Sequence, residues 1–217
     1  MSAKYLGVFF DLDGTLVDTL GILRSVYYEF LLSFGIQGSE DEFQSFNGPS
    51  LKEVVTIIND KYCLNQSPEI LLEKYLQTLE KKYLLDFEFS YRNIACLKQL
   101  RFKGLTIFLV TSSPKYLIEP LFKEKNLTNL FDGFVFGDEV AKSKPDPEIY
   151  LKAIDKSGLE ANQILVVEDS LNGIISGKAA NLFVCVISDS LDNEFIEKYN
   201  IDYSIRHIDE IIGIIYE

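Results

Sequence analysis

The 217-residue sequence predicts an α/β protein, a doubly wound parallel sheet core with an inserted all-helical cap domain. Three observations predict it. Short runs that are apolar throughout recur along the chain, bounded by polar residues or Gly, as in strands buried on both faces of a parallel sheet. Helix-period segments separate the later runs, the alternation of a Rossmann-like core. The first two runs stand about 95 residues apart, whereas a strand–helix–strand unit needs only ~30.

The elements follow in order. A first strand, Tyr5–Phe10, ends at Asp11. The long gap after it reads as helices with start signals. Leu20 to Phe34 carries an apolar stripe of Leu20, Leu23, Tyr27, Leu31 and Phe34, and stops at Gly35. Ser39 with Glu42, and Ser50 with Glu53, have capping-box spacing. Ser67-Pro68 opens the longest helix, with Pro at the first helical position. Residues 18–86 are therefore expected as the helical cap domain, and residues 1–17 with 87–217 as the α/β catalytic core. An insertion after the first strand is expected above the C-terminal edge of the sheet, where α/β ligand sites lie. Opening and closing about the crossings at Val17–Thr19 and Asp86–Tyr91 is expected to gate such a site. Further strands are predicted at Leu105–Val110, Gly133–Phe136, Ile164–Val167 and Leu182–Ile187, and helices at Asn93–Lys103, Glu148–Lys156 and Leu171–Ala180.

Composition sets the boundaries. With 47% hydrophobic and 25% charged residues the chain is expected to pack. No apolar run approaches the roughly 18 residues of a membrane helix, and Tyr5–Phe10 is too short and too soon acidic for a secretory signal. A cytoplasmic protein is expected, with no membrane partner and a monomer as the default. A net charge of −12 also disfavours nucleic acid, so a site for a phosphorylated substrate needs local cations or a metal. Cys63, Cys96 and Cys185 stand far apart and read as buried small hydrophobes. The one histidine, His207, reads as structural or surface.

Four predicted strand or loop ends carry chemistry. The first reads Asp11-Leu12-Asp13-Gly14-Thr15. Strand alternation points Asp11 and Asp13 the same way, which is costly unless a cation neutralises them or one holds a proton. The second reads Val110-Thr111-Ser112-Ser113-Pro114, where a hydroxyl and helix-opening amides suit a phosphate oxygen. The third, Lys142-Ser143-Lys144-Pro145-Asp146-Pro147, places an ammonium before a proline-set turn; it could neutralise a transferring phosphoryl group. The fourth reads Val166-Val167-Glu168-Asp169-Ser170, two acids that supply hard oxygen ligands of the kind Mg²⁺ takes. Acids, hydroxyl and lysine together are what phosphoryl transfer needs.

The series DLDGT, VTSS, KPDPEIY and VVEDSLNGI resembles the haloacid dehalogenase superfamily, most closely its phosphoglycolate phosphatase and β-phosphoglucomutase branch, over nearly the whole chain. The resemblance implies a phosphatase that hydrolyses a small-molecule phosphate ester with Mg²⁺ through an aspartyl-phosphate. It implies Asp11 as nucleophile and Asp13 as the acid and base. Thr111 then meets the phosphoryl oxygens, and Lys144 stabilises nucleophile and phosphate. Glu168 and Asp169 hold the metal, with Asp11 and the Asp13 carbonyl. Leu12, Ser112 and Ser113 are implied at the phosphate, and Asn47 and Gly48, in the Phe46–Ser50 loop, at the substrate. An acid at Asp13 fits an alkoxide leaving group rather than a halide.

Two other readings stand beside this one. A sugar phosphomutase would need a second phosphate site, but Leu23 occupies the position of the mutase histidine, and no arginine stands near Ser50-Leu51. A non-catalytic phosphate-binding protein would be expected to lack a motif acid, and none is lacking here. The helix after Asp169 ends in Ala179-Ala180-Asn181, where relatives carry Gly; Asn tolerates the left-handed conformation needed there.

Overall fold

The computed structural model describes residues 3–46, 51–188 and 193–216. The chain divides into two compact units, Thr19–Phe87 and the segments on either side of it.

Strand β1 (Gly7–Phe10), in the flanking segments, is followed by helix α1 (Leu20–Leu32) of the Thr19–Phe87 unit. Helices α2 (Glu40–Ser45), α3 (Leu51–Tyr62) and α4 (Pro68–Asp86) complete that unit. The chain then returns through α5 (Tyr91–Phe102), β2 (Thr106–Thr111), α6 (Lys115–Glu124), β3 (Gly133–Phe136), α7 (Glu148–Ser157) and β4 (Ile164–Glu168). It ends with α8 (Leu171–Ala179), β5 (Phe183–Ile187), α9 (Asn193–Tyr199), β6 (Tyr203–Ile205) and α10 (Ile211–Tyr216).

The six strands are all parallel and lie in the order β3-β2-β1-β4-β5-β6. That is the doubly wound order, and the chain reverses direction across the sheet between β1 and β4, the switch point where such folds bind ligands. Phe9 pairs with Phe108 on one side and Val166 on the other, so the strand tips at Asp11, Thr111 and Glu168 come to one edge. The strands are buried on both faces. Phe9, Phe108, Val166 and Val184 pack with Ile149, Tyr150 and Ala153 of α7 and Ile174 of α8; Phe10, Leu109 and Val167 alternate to the opposite face and are also fully buried. The expected strands are found within a residue or two. The three-residue β6 was not anticipated; Tyr-Ser-Ile is too short and mixed to stand out as an apolar run. Asn181 holds φ +60°, the left-handed backbone that its position requires.

The helical unit packs α1 and α3 against α4. Ser67 accepts from the Ile70 amide and Pro68 opens α4, as the sequence signals. The α1 stripe differs from expectation. Its buried residues are Ile22, Val26, Tyr27, Phe30 and Leu31, while Leu20 is 46% exposed. Two adjacent stripes on α1 are apolar, and the partner rings choose: Phe30 meets Tyr75 of α4 at 5.0 Å between centroids. The Ser39–Glu42 capping box is half formed. Ser39 Oγ accepts from the Glu42 amide, but the Glu42 carboxylate turns inward to Tyr27, Tyr62 and Lys61. Ser50, Asn47 and Gly48 lie outside the described residues.

Cys96 and Cys185 are buried, as expected. Cys63 is exposed; it follows α3 in a turn with φ +50° that carries it away from the apolar face. His207 is exposed. Among the described residues no helix is long and apolar enough to cross a membrane.

Candidate active site

Asp11 leaves the C-terminal end of β1, its amide bonded to the Val167 carbonyl of β4 at 3.0 Å. The turn that follows is tight, because the amides of Thr15, Leu16 and Val17 all turn back to the Leu12 carbonyl. Gly14 sits in this turn at φ +85°, and a Cβ there would stand 2.0 Å from Asp169 Oδ2. Both the backbone and the close approach of Asp169 therefore demand glycine.

Lys144 is the centre of the charge pattern. Its ammonium donates to Asp11 Oδ1 at 2.7 Å, to Glu168 Oε1 at 2.6 Å and to the Val110 carbonyl at 3.1 Å. Asp11, Lys144 and Glu168 are all buried. Burial alone would lower the lysine pKa, but Asp11 and Glu168 outweigh it and hold the ammonium protonated. The carboxyl of Asp11 is raised well above the usual range, first by burial and then by Glu168, Asp169 and Asp13 crowding it, against the pull of Lys144. Asp169 is pushed up to about 7, again by burial first and then by Glu168. Carboxylate oxygens of Asp11, Glu168 and Asp169 lie within 4.8 Å of one another. Two buried acids, Asp11 and Glu168, and the solvent-reached Asp169 face one lysine, so carboxylates outnumber the cation.

Glu168 is held at both ends. Oε1 accepts from Lys144 and from the Tyr150 hydroxyl at 2.7 Å, and Oε2 accepts from Ser170 Oγ at 3.1 Å. A Cβ at Gly173 would fall 1.9 Å from the Glu168 carboxyl carbon, so α8 can begin this close only with glycine. Asp169 Oδ1 accepts from Thr15 Oγ1 at 3.2 Å.

Asp13 turns to the β2 tip, where Ser113 Oγ donates to its Oδ2 at 2.9 Å. Thr111, fully buried, accepts from the Ser113 amide at 3.0 Å. Leu12 has a fully buried side chain. Ser112 is exposed in the loop after β2. Asp11, Lys144, Glu168 and Asp169 thus form one cluster, and Asp13, Ser113 and Thr111 a hydrogen-bonded set at the neighbouring tip. Tyr150, Thr15 and Gly173 also shape the cluster without having been singled out from the sequence as site residues. The Tyr ending KPDPEIY was the available signal, since a phenol buried on α7 needs a polar partner.

A doubly wound sheet thus carries an acidic cluster and a lysine at its switch point, the place where sheets of this class bind ligands. The sequence profile of the haloacid dehalogenase-like hydrolase family matches residues 8–187, and the chain belongs to this family. It is 24% identical to the pyrophosphatase PpaX of Oceanobacillus iheyensis over 213 residues, covering 96% of this chain and 95% of that one. It is 30% identical to a phosphorylated carbohydrates phosphatase of Thermotoga maritima over 178 residues, 81% of each chain. In fold it is similar to CbbY of Rhodobacter sphaeroides solved with xylulose-1,5-bisphosphate, with a TM-score of 0.79 at 19% identity over 95% of this chain and 96% of that one.

Proposed function

We propose that the chain hydrolyses a small phosphomonoester with Mg²⁺ through an aspartyl-phosphate on Asp11. The chain is a phosphoric monoester hydrolase of its family. The observation that carries the mechanism is the buried Asp11 carboxylate held 2.7 Å from Lys144, beside two further acids at the β4 tip.

The residues fit a divalent cation. The donors are hard oxygens of the kind Mg²⁺ takes, and the cluster holds more buried negative charge than Lys144 offsets. Asp11, Asp169 and Glu168, with the Asp13 carbonyl, would hold the ion. When bound, Mg²⁺ neutralises charge on the phosphoryl oxygens and orients them.

The chain's own groups account for the rest. Lys144 keeps Asp11 oriented at the end of β1. An Asp11 oxygen attacks phosphorus, and the bond from phosphorus to the substrate oxygen breaks. Asp13, held by Ser113, gives its proton to that departing oxygen. It then takes a proton from a water molecule whose oxygen attacks the aspartyl-phosphate, releasing phosphate and restoring Asp11. Thr111, Ser112, Ser113 and the Leu12 amide are assigned to the phosphoryl oxygens. Substrate choice is assigned to the helical unit, including Asn47 and Gly48.

The test is inorganic phosphate release from a panel of phosphomonoesters, with Mg²⁺ and with chelator, beside Asp11→Asn. Release that requires both Mg²⁺ and Asp11 is expected. Release that survives Asp11→Asn would overturn the covalent mechanism.

A further inference from the structure

Tyr150 is fully buried on α7 among apolar neighbours, Ile149 and Ala153. A phenylalanine would fill nearly the same volume without bringing a hydroxyl that needs a partner. The hydroxyl reaches Glu168 Oε1 at 2.7 Å, and the Lys144 ammonium, 2.6 Å from the same oxygen, lies 5.1 Å from the Tyr150 ring centroid. An ammonium has three N–H donors, and Lys144 spends them on Asp11, Glu168 and the Val110 carbonyl. Asp11 and Glu168 therefore compete for one cation. The Tyr150 O–H offsets part of the charge on Glu168 Oε1, and that leaves the ammonium closer in energy to Asp11.

We propose that Tyr150 is a positioning residue for the reaction. Acting through Glu168, it sets how Lys144 divides itself between Glu168 and Asp11, and so holds the attacking carboxylate in one orientation. This rests on Asp11 being the nucleophile. With the hydroxyl removed, Lys144 is drawn toward Glu168 and its hold on Asp11 weakens.

The experiment compares wild type with Tyr150→Phe, at a temperature where circular dichroism shows both folded. Using p-nitrophenyl phosphate with Mg²⁺, kcat is expected to fall about tenfold with KM unchanged. Calorimetric titration with orthovanadate, which mimics the transferring group, should show binding weakened about tenfold. In a double-mutant cycle, Tyr150→Phe should have no further effect once Glu168→Gln is present. A merely structural tyrosine would lower Tm and leave kcat and vanadate affinity alone, and that result overturns the proposal. If the wild type turns over no phosphomonoester, the hydrolase reading falls, and the two vanadate affinities still decide the positioning role; no vanadate binding by the wild type sinks both. A crystal structure of the wild type with orthovanadate gives a check that needs no variant. Tyr150 bonded to Glu168, with Lys144 between Glu168 and Asp11, supports the role, and a detached Tyr150 hydroxyl refutes it.

Discussion

Lys144 Nζ lies 2.7 Å from Asp11 Oδ1, joining residues 133 apart in the chain inside a nearly dry site. The contact also organises the charge of the cluster, because the same ammonium bridges to Glu168 at 2.6 Å. Breaking a buried pair by removing one partner leaves the other charge uncompensated. Lys144→Met should therefore destabilise the chain by about 3–5 kcal/mol. Adding Asp11→Asn should recover part of the loss, since one buried charge goes with it. Urea unfolding of the three proteins measures this; additive losses would contradict the shared-cation picture.

Gly14 makes a second prediction. Gly14→Ala puts a methyl 2.0 Å from Asp169 Oδ2 at a backbone φ of +85°. A loss of about 1–3 kcal/mol is expected from backbone strain. Displacing Asp169 should also weaken Mg²⁺ binding by about tenfold. Calorimetric Mg²⁺ titration reads the second effect, and an unchanged affinity would show that Asp169 does not hold the ion.

Because the acidic cluster carries excess charge, a bound cation should stabilise the folded chain. At about a hundred times its Kd, Mg²⁺ should add about 2.7 kcal/mol. Chelator should remove the gain, and Asp169→Asn should blunt it. Scanning calorimetry with and without Mg²⁺ checks this; a Tm indifferent to Mg²⁺ in the wild type would count against the metal site.

The helical unit has a buried acid of its own. Burial alone would raise the Glu42 pKa, but Lys61, Tyr27 and Tyr62 outweigh it and lower it from its ordinary 4.5. A lowered folded value means the carboxylate contributes stability above its unfolded pKa and loses it as pH falls through the folded one. Between about pH 6 and pH 3 the wild type should lose Tm more steeply than Glu42→Gln. Parallel curves would show that the acid contributes no pH-dependent stability.

Much of the site was legible in the sequence. Asp11, Thr111, Glu168 and Asp169 each follow an apolar run, and parallel strands in register bring their C-terminal tips to one edge. Lys144 was legible from its proline-flanked loop. Sequence order alone therefore determined the doubly wound core and which side chains reach its switch point. The tertiary structure decided what depends on contacts between distant segments. Helical periodicity left two apolar stripes on α1, and packing against α4 buried Ile22, Val26 and Phe30. Local spacing gave Glu42 a capping role, yet Tyr27, Tyr62 and Lys61 offered a buried carboxylate more than one amide could. Tyr150 became a partner of Glu168 only when α7 packed beside β4, because a hydroxyl's partner is set by distance in space.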